Sequence, residues 1–563
     1  MRKQKTVPEQ PGLARAASPP ATPYWPLAVL FALTLGVYLP AMNGPFLFDD
    51  LSLPILSGAP PAEWTFYLKR GVRSIFNLSL LVDYHLWGLN PGPFHWVNLM
   101  LHLANGWLVY AIVRAWARPF WLSIFGAGVF LLHPLQTEAV SYIASRSECL
   151  SVLFSYAALL VFLRRERSSP TGWRKSAVIL VLMGLAVLSK ESAAAMAGVF
   201  VLTDLVEGGY RRVFSNWRVY APLLGGGSVA AAYIIRLASR EGSAGFGLQG
   251  VSPVDYLWTQ FQVIPVYIRL LLLPWGQNLD HAYPLAKAPA SPLSYAGLSI
   301  LLLLLYLAWR ARKDSPLVFL GFLIFLALLA PTSSFIPIAD TMVERRLYLP
   351  MIGPILAACQ LLGRVAWNRT RALMAGAAIL FFAGLTMLRN DVYTSPAAMW
   401  ADSVKKNPGN QRAHFQLAYA YYRDGRCAEA NTHYSKAAAL GSTDYELLID
   451  WALSLDCAGD PAAAIQKLQE AARFKRDSHA WATLGMIYGK RGQLPNALDA
   501  LNRALEINRR DANAFAYRGN VQLASGRIAE AIEDFSAALQ ISPDHPVALQ
   551  GMAAAQTARR AKQ

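Results

Sequence analysis

Val254-Asp255-Tyr256-Leu257-Trp258-Thr259-Gln260-Phe261-Gln262-Val263-Ile264-Pro265-Val266-Tyr267-Ile268-Arg269-Leu270-Leu271-Leu272-Leu273 is long and apolar enough to cross a bilayer, yet it carries Gln260, Gln262, Pro265 and Arg269. Whether it crosses decides which side of the membrane the rest of the chain faces. Its neighbours settle the question. Apolar segments of spanning length recur at roughly 25–42, 93–113, 119–133, 146–163, 175–189, 191–206, 217–236, 292–309, 316–332, 346–363 and 370–388. Between them lie short basic loops: Arg114 and Arg118; Arg164, Arg165, Arg167, Arg174 and Lys175; Arg211, Arg212 and Arg218; Arg310, Arg312 and Lys313; Arg364, Arg369 and Arg371. Short basic loops stay in the cytoplasm, so an even number of crossings must separate each from the next. Counting 254–273 as a span would put Arg310, Arg312 and Lys313 outside. The segment therefore reads as an interfacial or re-entrant helix. About eleven spans remain, with the N-terminus inside and the C-terminus outside.

The apolar character is uneven. The 563 residues are 54% hydrophobic with mean hydropathy +0.29, but beyond about residue 388 the chain turns Ala-rich, charged and helical in period. The expected class is all-α: a disordered cytoplasmic tail at 1–22, a polytopic membrane domain at 23–390 and a soluble domain at 391–563. No small-residue cleavage site follows the first apolar segment, which reads as an anchor. A net charge of +17 suggests nucleic acid in a soluble protein. Here much of the excess sits in the inside loops, so no nucleic-acid partner is expected.

This topology turns several charged groups outward. Gly44-Pro45-Phe46-Leu47-Phe48-Asp49-Asp50 follows the first span, and carboxylates beside hydrocarbon are seldom kept without a use. Alone, the pair also reads as a polar cap at a membrane exit, with Asp50 an N-cap for the segment after it. His133-Pro134-Leu135-Gln136-Thr137-Glu138-Ala139-Val140 with Arg146 and Glu148, Lys190-Glu191, Asp280 and Glu344-Arg345-Arg346 share that side. Any one of these could be an interfacial ion pair. Together they suit a lipid-phosphate donor: Arg, Lys and His neutralise the phosphate while a carboxylate takes a proton from an incoming hydroxyl. The outer loop 43–92 adds Arg73, Asp83 and His85, with Trp64, Trp87 and nearby Trp96 as interfacial anchors before sugar platforms. Asn98 and His102, one turn apart, either line a cleft or bond neighbouring helices.

The C-terminal part repeats. Ala430, Ala464, Ala497 and Ala531 step by 34, 33 and 34 residues, with Gly425, Gly459, Gly492 and Gly526 in register. Trp481, Leu484, Gly485, Tyr488, Ala497, Leu501 and Ala504 fit the 34-residue tetratricopeptide (TPR) pattern, an α-solenoid of paired helices. About four repeats are expected, preceded by a half-unit from Ala398 to Pro408 and closed by a capping helix at 545–560. Cys149 and Cys359 lie in spans. Cys427 and Cys457 fall at adjoining ends of antiparallel helices, where a disulfide and two free thiols are equally open. The groove positions Gln416, Tyr419, Asp450, Tyr517 and Asn520 make no regular ladder and name no ligand.

In Phe48-Asp49-Asp50, Phe94-His95 with Asn98 and His102, His133-Pro134 with Thr137-Glu138-Ala139-Val140 and Arg146, and Lys190-Glu191, the chain resembles the transmembrane-and-TPR protein O-mannosyltransferases of the GT-C fold. Leu271-Leu272-Leu273-Pro274-Trp275 with Leu279-Asp280, and Glu344-Arg345 with Leu347-Tyr348-Leu349-Pro350, extend the likeness. The resemblance implies inverting transfer of mannose from a polyprenyl-phosphate donor to Ser/Thr hydroxyls on the non-cytoplasmic face. It implies Asp49 as general base with Asp50 as partner, and Arg73, His95, His133, Glu138, Arg146, Lys190 and Arg345 on the donor side. The departures are the small number of repeats and Arg73-Ser74-Ile75 where Arg-Pro-Leu is expected. No metal or cofactor is expected, because the cluster supplies its own cations; the lipid-linked sugar is substrate and a protein acceptor is presented by the repeats. The membrane would be a bacterial inner membrane with periplasmic repeats, or the endoplasmic reticulum with lumenal ones. The competing readings are transfer to a glycan or lipid, and a non-catalytic envelope-assembly protein.

Overall fold

The computed structural model describes residues 24–562 apart from 57–63, 70–72, 117, 167–168, 229–247, 249, 288–290 and 366–367. The tail at 1–22 and residues 229–236 of the segment at 217–236 lie outside the described residues. Every regular element among the described residues is a helix. Two compact units are resolved, Met1–Asp402 and Ser403–Gln563.

In the first unit, six helices are long and apolar enough to cross a membrane: Trp25–Asn43, Pro91–Ala115, Ile143–Leu163, Glu191–Ser215, Pro292–Arg310 and Arg369–Thr394. A seventh crossing arises if Phe120–Leu132 and Pro134–Ser141 form one broken span, bent by 50°. The break has a clear cause. Pro134 cannot continue the helical hydrogen bonds, and His133 Nδ1 accepts the Leu135 N–H at 3.2 Å to start a new turn. Pro316–Leu329 and Ile352–Gly363 are shorter apolar helices. The expected count of about eleven thus rests partly on short, bent or undescribed segments. Pro253–Leu272, which opened the topology argument, is not among the long apolar helices. Small residues let these helices approach closely. A Cβ at Gly321 would collide with the Gly353 carbonyl, and one at Gly297 with the Phe261 carbonyl.

The second unit is a row of antiparallel helix pairs: Gln411–Arg423 with Cys427–Leu440, Tyr445–Cys457 with Pro461–Phe474, Ser478–Lys490 with Leu494–Ile507, and Ala512–Ala524 with Ile528–Ile541. Pro546–Lys562 follows as the cap. Ala430, Ala464, Ala497 and Ala531 are fully buried where the paired helices meet. Gly425, Gly459, Gly492 and Gly526 turn each pair with φ between 71° and 84°, a left-handed conformation that a Cβ disfavours. Side chains start the helices too: Asn410, Asp444, Asp460, Asp477 and Asp511 each accept a first-turn backbone N–H. Cys427 and Cys457 form a disulfide, with Cα atoms 5.9 Å apart, joining the first two repeats.

Candidate active site

The Asp-Asp stretch forms one turn of 3-10 helix, Phe48–Ser52, and its two acids have opposite fates. Asp50 is fully buried; its carboxylate accepts the Leu47 N–H at 2.9 Å and the Ala144 N–H at 2.6 Å, tying the turn to the start of the 146–163 helix. Asp49 points out, its side chain 46% exposed. Phe48 sets this divergence with φ 38°, a strained value for a residue with a Cβ, and its ring packs edge-on against Trp400 at 5.0 Å. Burial, the largest cause, lifts the Asp50 carboxyl from 3.8 to about 7, against the lowering by the Leu47 and Ala144 N–H groups. The fold therefore retains a proton that the unfolded chain releases between about pH 4 and 7. This contribution to stability is complete below pH 4 and is lost as pH rises through 7. Melts in detergent between pH 5 and 8 should show the wild-type Tm falling with pH relative to Asp50→Asn; parallel curves would exclude the titration.

Beside Asp49 stands Arg345, with Nη2 3.8 Å from its carboxylate. Glu138, itself buried, holds that arginine twice, accepting the Arg345 backbone N–H at 3.0 Å and its Nη1 at 2.6 Å. The guanidinium is a quarter exposed and lies 5.9 Å from the Tyr142 ring centroid. Tyr142 in turn accepts the Asp49 N–H at 2.6 Å. Burial, with Asp49 and Asp50 nearby, raises the Tyr142 phenol well above its usual range, so it stays neutral. Arg73 forms a two-point pair with Glu191, at 3.0 and 2.7 Å, and keeps 42% of its side chain exposed. Lys190 is buried and paired with Glu148. Arg73 and Lys190 both lie within electrostatic reach of Arg345. One acid and three cations thus gather, from parts of the chain as far apart as residues 49 and 345.

Three of the expected donor-side residues are buried among other helices. Arg146 is fully buried, paired with Asp83 at 2.5 Å, and donates to Asn98 Oδ1, the Phe94 carbonyl and the Ser79 carbonyl. With its guanidinium bonded through Nε, Nη1 and Nη2, it braces the helices around it. His133 is buried against Phe382 and bonds the Leu271 carbonyl and the Leu135 N–H. His95 is buried and reaches the Gly44 carbonyl at 3.1 Å, steadying the loop that leads to Asp49. Asn98 and His102 bond neighbouring helices: Asn98 donates to the Val140 and Tyr142 carbonyls, and His102 meets the Leu131 carbonyl and the Tyr348 hydroxyl. Sequence reasoning missed Tyr142, which carries no charge, and underused Glu344. Glu344 accepts from Gln277 Nε2, the Asn278 N–H and His281 Nε2, at 3.0, 2.6 and 2.8 Å, and so docks segment 277–281 beside Arg345. An acidic residue directly preceding an expected site arginine was the available signal.

Comparison with known proteins agrees with these two units. The tetratricopeptide-repeat family pattern matches residues 393–445 and 482–546. A protein O-mannosyl-transferase of Caenorhabditis elegans is 22% identical over 74% of this chain and 62% of its own length. Protein O-mannosyl-transferase TMTC1 of Homo sapiens is 23% identical over 73% of this chain and 55% of its own. The chain therefore spans less than two thirds of either relative. Among solved structures, YrrB, described as a TPR protein with an unusual peptide-binding site, is 24% identical, covering 30% of this chain and 88% of that one at TM-score 0.25. With apolar helices of membrane-spanning length and tetratricopeptide repeats, the chain is a membrane protein similar to the TMTC protein O-mannosyl-transferases over nearly three quarters of its residues.

Proposed function

We propose that this protein is a GT-C-type glycosyltransferase that moves mannose from a polyprenyl-phosphate carrier to Ser/Thr hydroxyls of proteins, with inversion, on the non-cytoplasmic side of its membrane. The observation that carries the proposal is the half-exposed Asp49 carboxylate beside Arg345, itself held by buried Glu138. Asp49 takes the proton of the acceptor hydroxyl as its oxygen bonds the sugar C1. The bond from C1 to the carrier phosphate breaks on the opposite face, and the released phosphate charge meets the exposed cations Arg345 and Arg73, with buried Lys190 adding its charge at longer range. Glu138 and Tyr142 position Arg345 and Asp49 and touch no reacting atom. The reaction needs no metal, because positive charge is already built in. The named activity of the relatives favours mannose and a protein acceptor, and the TPR unit would present that acceptor.

The test uses the full chain in membranes, supplied with mannosyl-phospho-polyprenol carrying labelled mannose and a Ser/Thr-rich polypeptide. Label should enter the polypeptide with the anomeric configuration opposite to the donor's, and chelator should leave the rate unchanged. Label entering only from a nucleotide-sugar, or only a lipid or glycan, would replace this reading.

A further inference from the structure

Repeat two departs from the charge balance of the whole. In a protein of net charge +17, residues 437–466 hold Asp444, Glu446, Asp450, Asp456 and Asp460 and no lysine or arginine. Most of these acids have an assignment. Asp444 and Asp460 cap helices, Asp456 pairs with Lys490 at 2.9 Å, and Glu446 is exposed to solvent. Asp450 has none. It is half-buried on Tyr445–Cys457, and among the described residues neither a donor nor a cation touches it. The charged groups that act on it, Glu446 and Asp444, are both negative, and burial chiefly, with their help, pushes its carboxyl up to about 6; the cations near the surrounding tyrosines already have partners, Lys490 in Asp456 and Arg423 in Tyr419.

A second group beside it also lacks a partner. Tyr434, on Cys427–Leu440, is fully buried, and its hydroxyl makes no hydrogen bond. Tyr434 packs in one cluster with Tyr422 and with Trp451, the residue after Asp450, and Asp450, Tyr419 and Tyr422 all act on its hydroxyl. Tyr419 and Tyr422 come from Gln411–Arg423, the first helix of repeat one, which packs against Tyr445–Cys457. Buried polar groups without partners are few in native folds, and a carboxylate among phenols lacks a positively charged donor with several N–H groups. Tyrosine faces attract such cations as well.

We propose that Asp450, framed by Tyr419, Tyr422 and Tyr434, binds the ammonium or guanidinium group of a basic polypeptide segment. The repeats thereby select lysine- or arginine-bearing partners. Under the transferase reading this makes basic segments the favoured acceptors, but binding itself needs no transfer, so each can fail alone. The probe is a fluorescein-labelled, lysine-rich Ser/Thr peptide added to the full chain in neutral phosphatidylcholine nanodiscs and followed by anisotropy. Asp450→Asn should weaken binding about ten-fold or more, the effect of losing one charged hydrogen bond. Asp499→Asn, at an exposed surface pair with Arg503, should change nothing. The same peptide with its lysines acetylated should bind wild-type protein as weakly as the lysine peptide binds Asp450→Asn, which tests the contact without altering the protein. No binding of the lysine peptide, equal binding of the acetylated one, or undiminished binding by Asp450→Asn would overturn the proposal; equal binding would point to a neutral ligand.

Discussion

Asp49→Asn lowers transfer to a Ser/Thr polypeptide by about 100-fold or more and leaves the Tm nearly where it was. Both halves of this expectation come from the geometry. The Asp49 side chain is half in solvent, and its ion pair is a long one, 3.8 Å to Arg345, so the fold loses little with the charge. A hydroxyl nucleophile, by contrast, needs a base within hydrogen-bond reach, and an amide cannot take its proton. Asp50 makes the comparison sharp, because it is an acid one residue away with both oxygens bonded to backbone N–H groups. Asp50→Asn should lose stability along with activity, since an amide nitrogen cannot accept the N–H that an oxygen accepts. Initial rates and melts on both variants in one membrane preparation decide the matter. An Asp49→Asn enzyme transferring at the wild-type rate would remove Asp49 from the chemistry, and equal losses of Tm in both variants would make the pair structural.

Arg146→Met destabilises the protein by about 3–5 kcal/mol, the usual cost of stripping one partner from a buried ion pair. The change leaves Asp83 charged and 5% exposed, with Asn98 Oδ1 and the Phe94 and Ser79 carbonyls short of a donor. Replacing both members, Arg146→Met with Asp83→Leu, should recover much of the loss, because no charge then stays buried without its counterpart. The alternative, that Arg146 meets the donor phosphate, predicts something different. Arg146→Met would then keep the wild-type Tm while the KM for the lipid donor rose. Thermal melts in detergent together with donor titrations separate the two outcomes.

The helical class and the repeat register were legible in the sequence because they rest on local or periodic signals. Runs of apolar residues mark helices that can cross a membrane, and the alanine and glycine ladder marks paired helices wherever it occurs. The structure gives Gly425, Gly459, Gly492 and Gly526 one positive-φ conformation, as a turn repeated every 33 or 34 residues requires. The seam between Cys427 and Cys457 was visible as a pairing but not as a bond, because register places two sulfurs together without deciding whether they join.

The site was legible only as a set of charges. Which of them remain open depends on partners remote in the chain: Glu138 for Arg345, 207 residues away, Glu191 for Arg73, 118 away, and Asp83 for Arg146. Lysine, arginine and histidine look alike in sequence whether they face a substrate or brace two helices. Burial separates them, because a charge taken out of solvent must meet its counterpart inside the fold, while a charge left at the surface is free to meet a ligand. By itself the sequence determined the helices and their period. Only tertiary packing decided that Arg146, His133 and His95 turn inward and that Asp49, Arg73 and Arg345 stay reachable, since side chains from distant parts of the chain compete there for the same few partners.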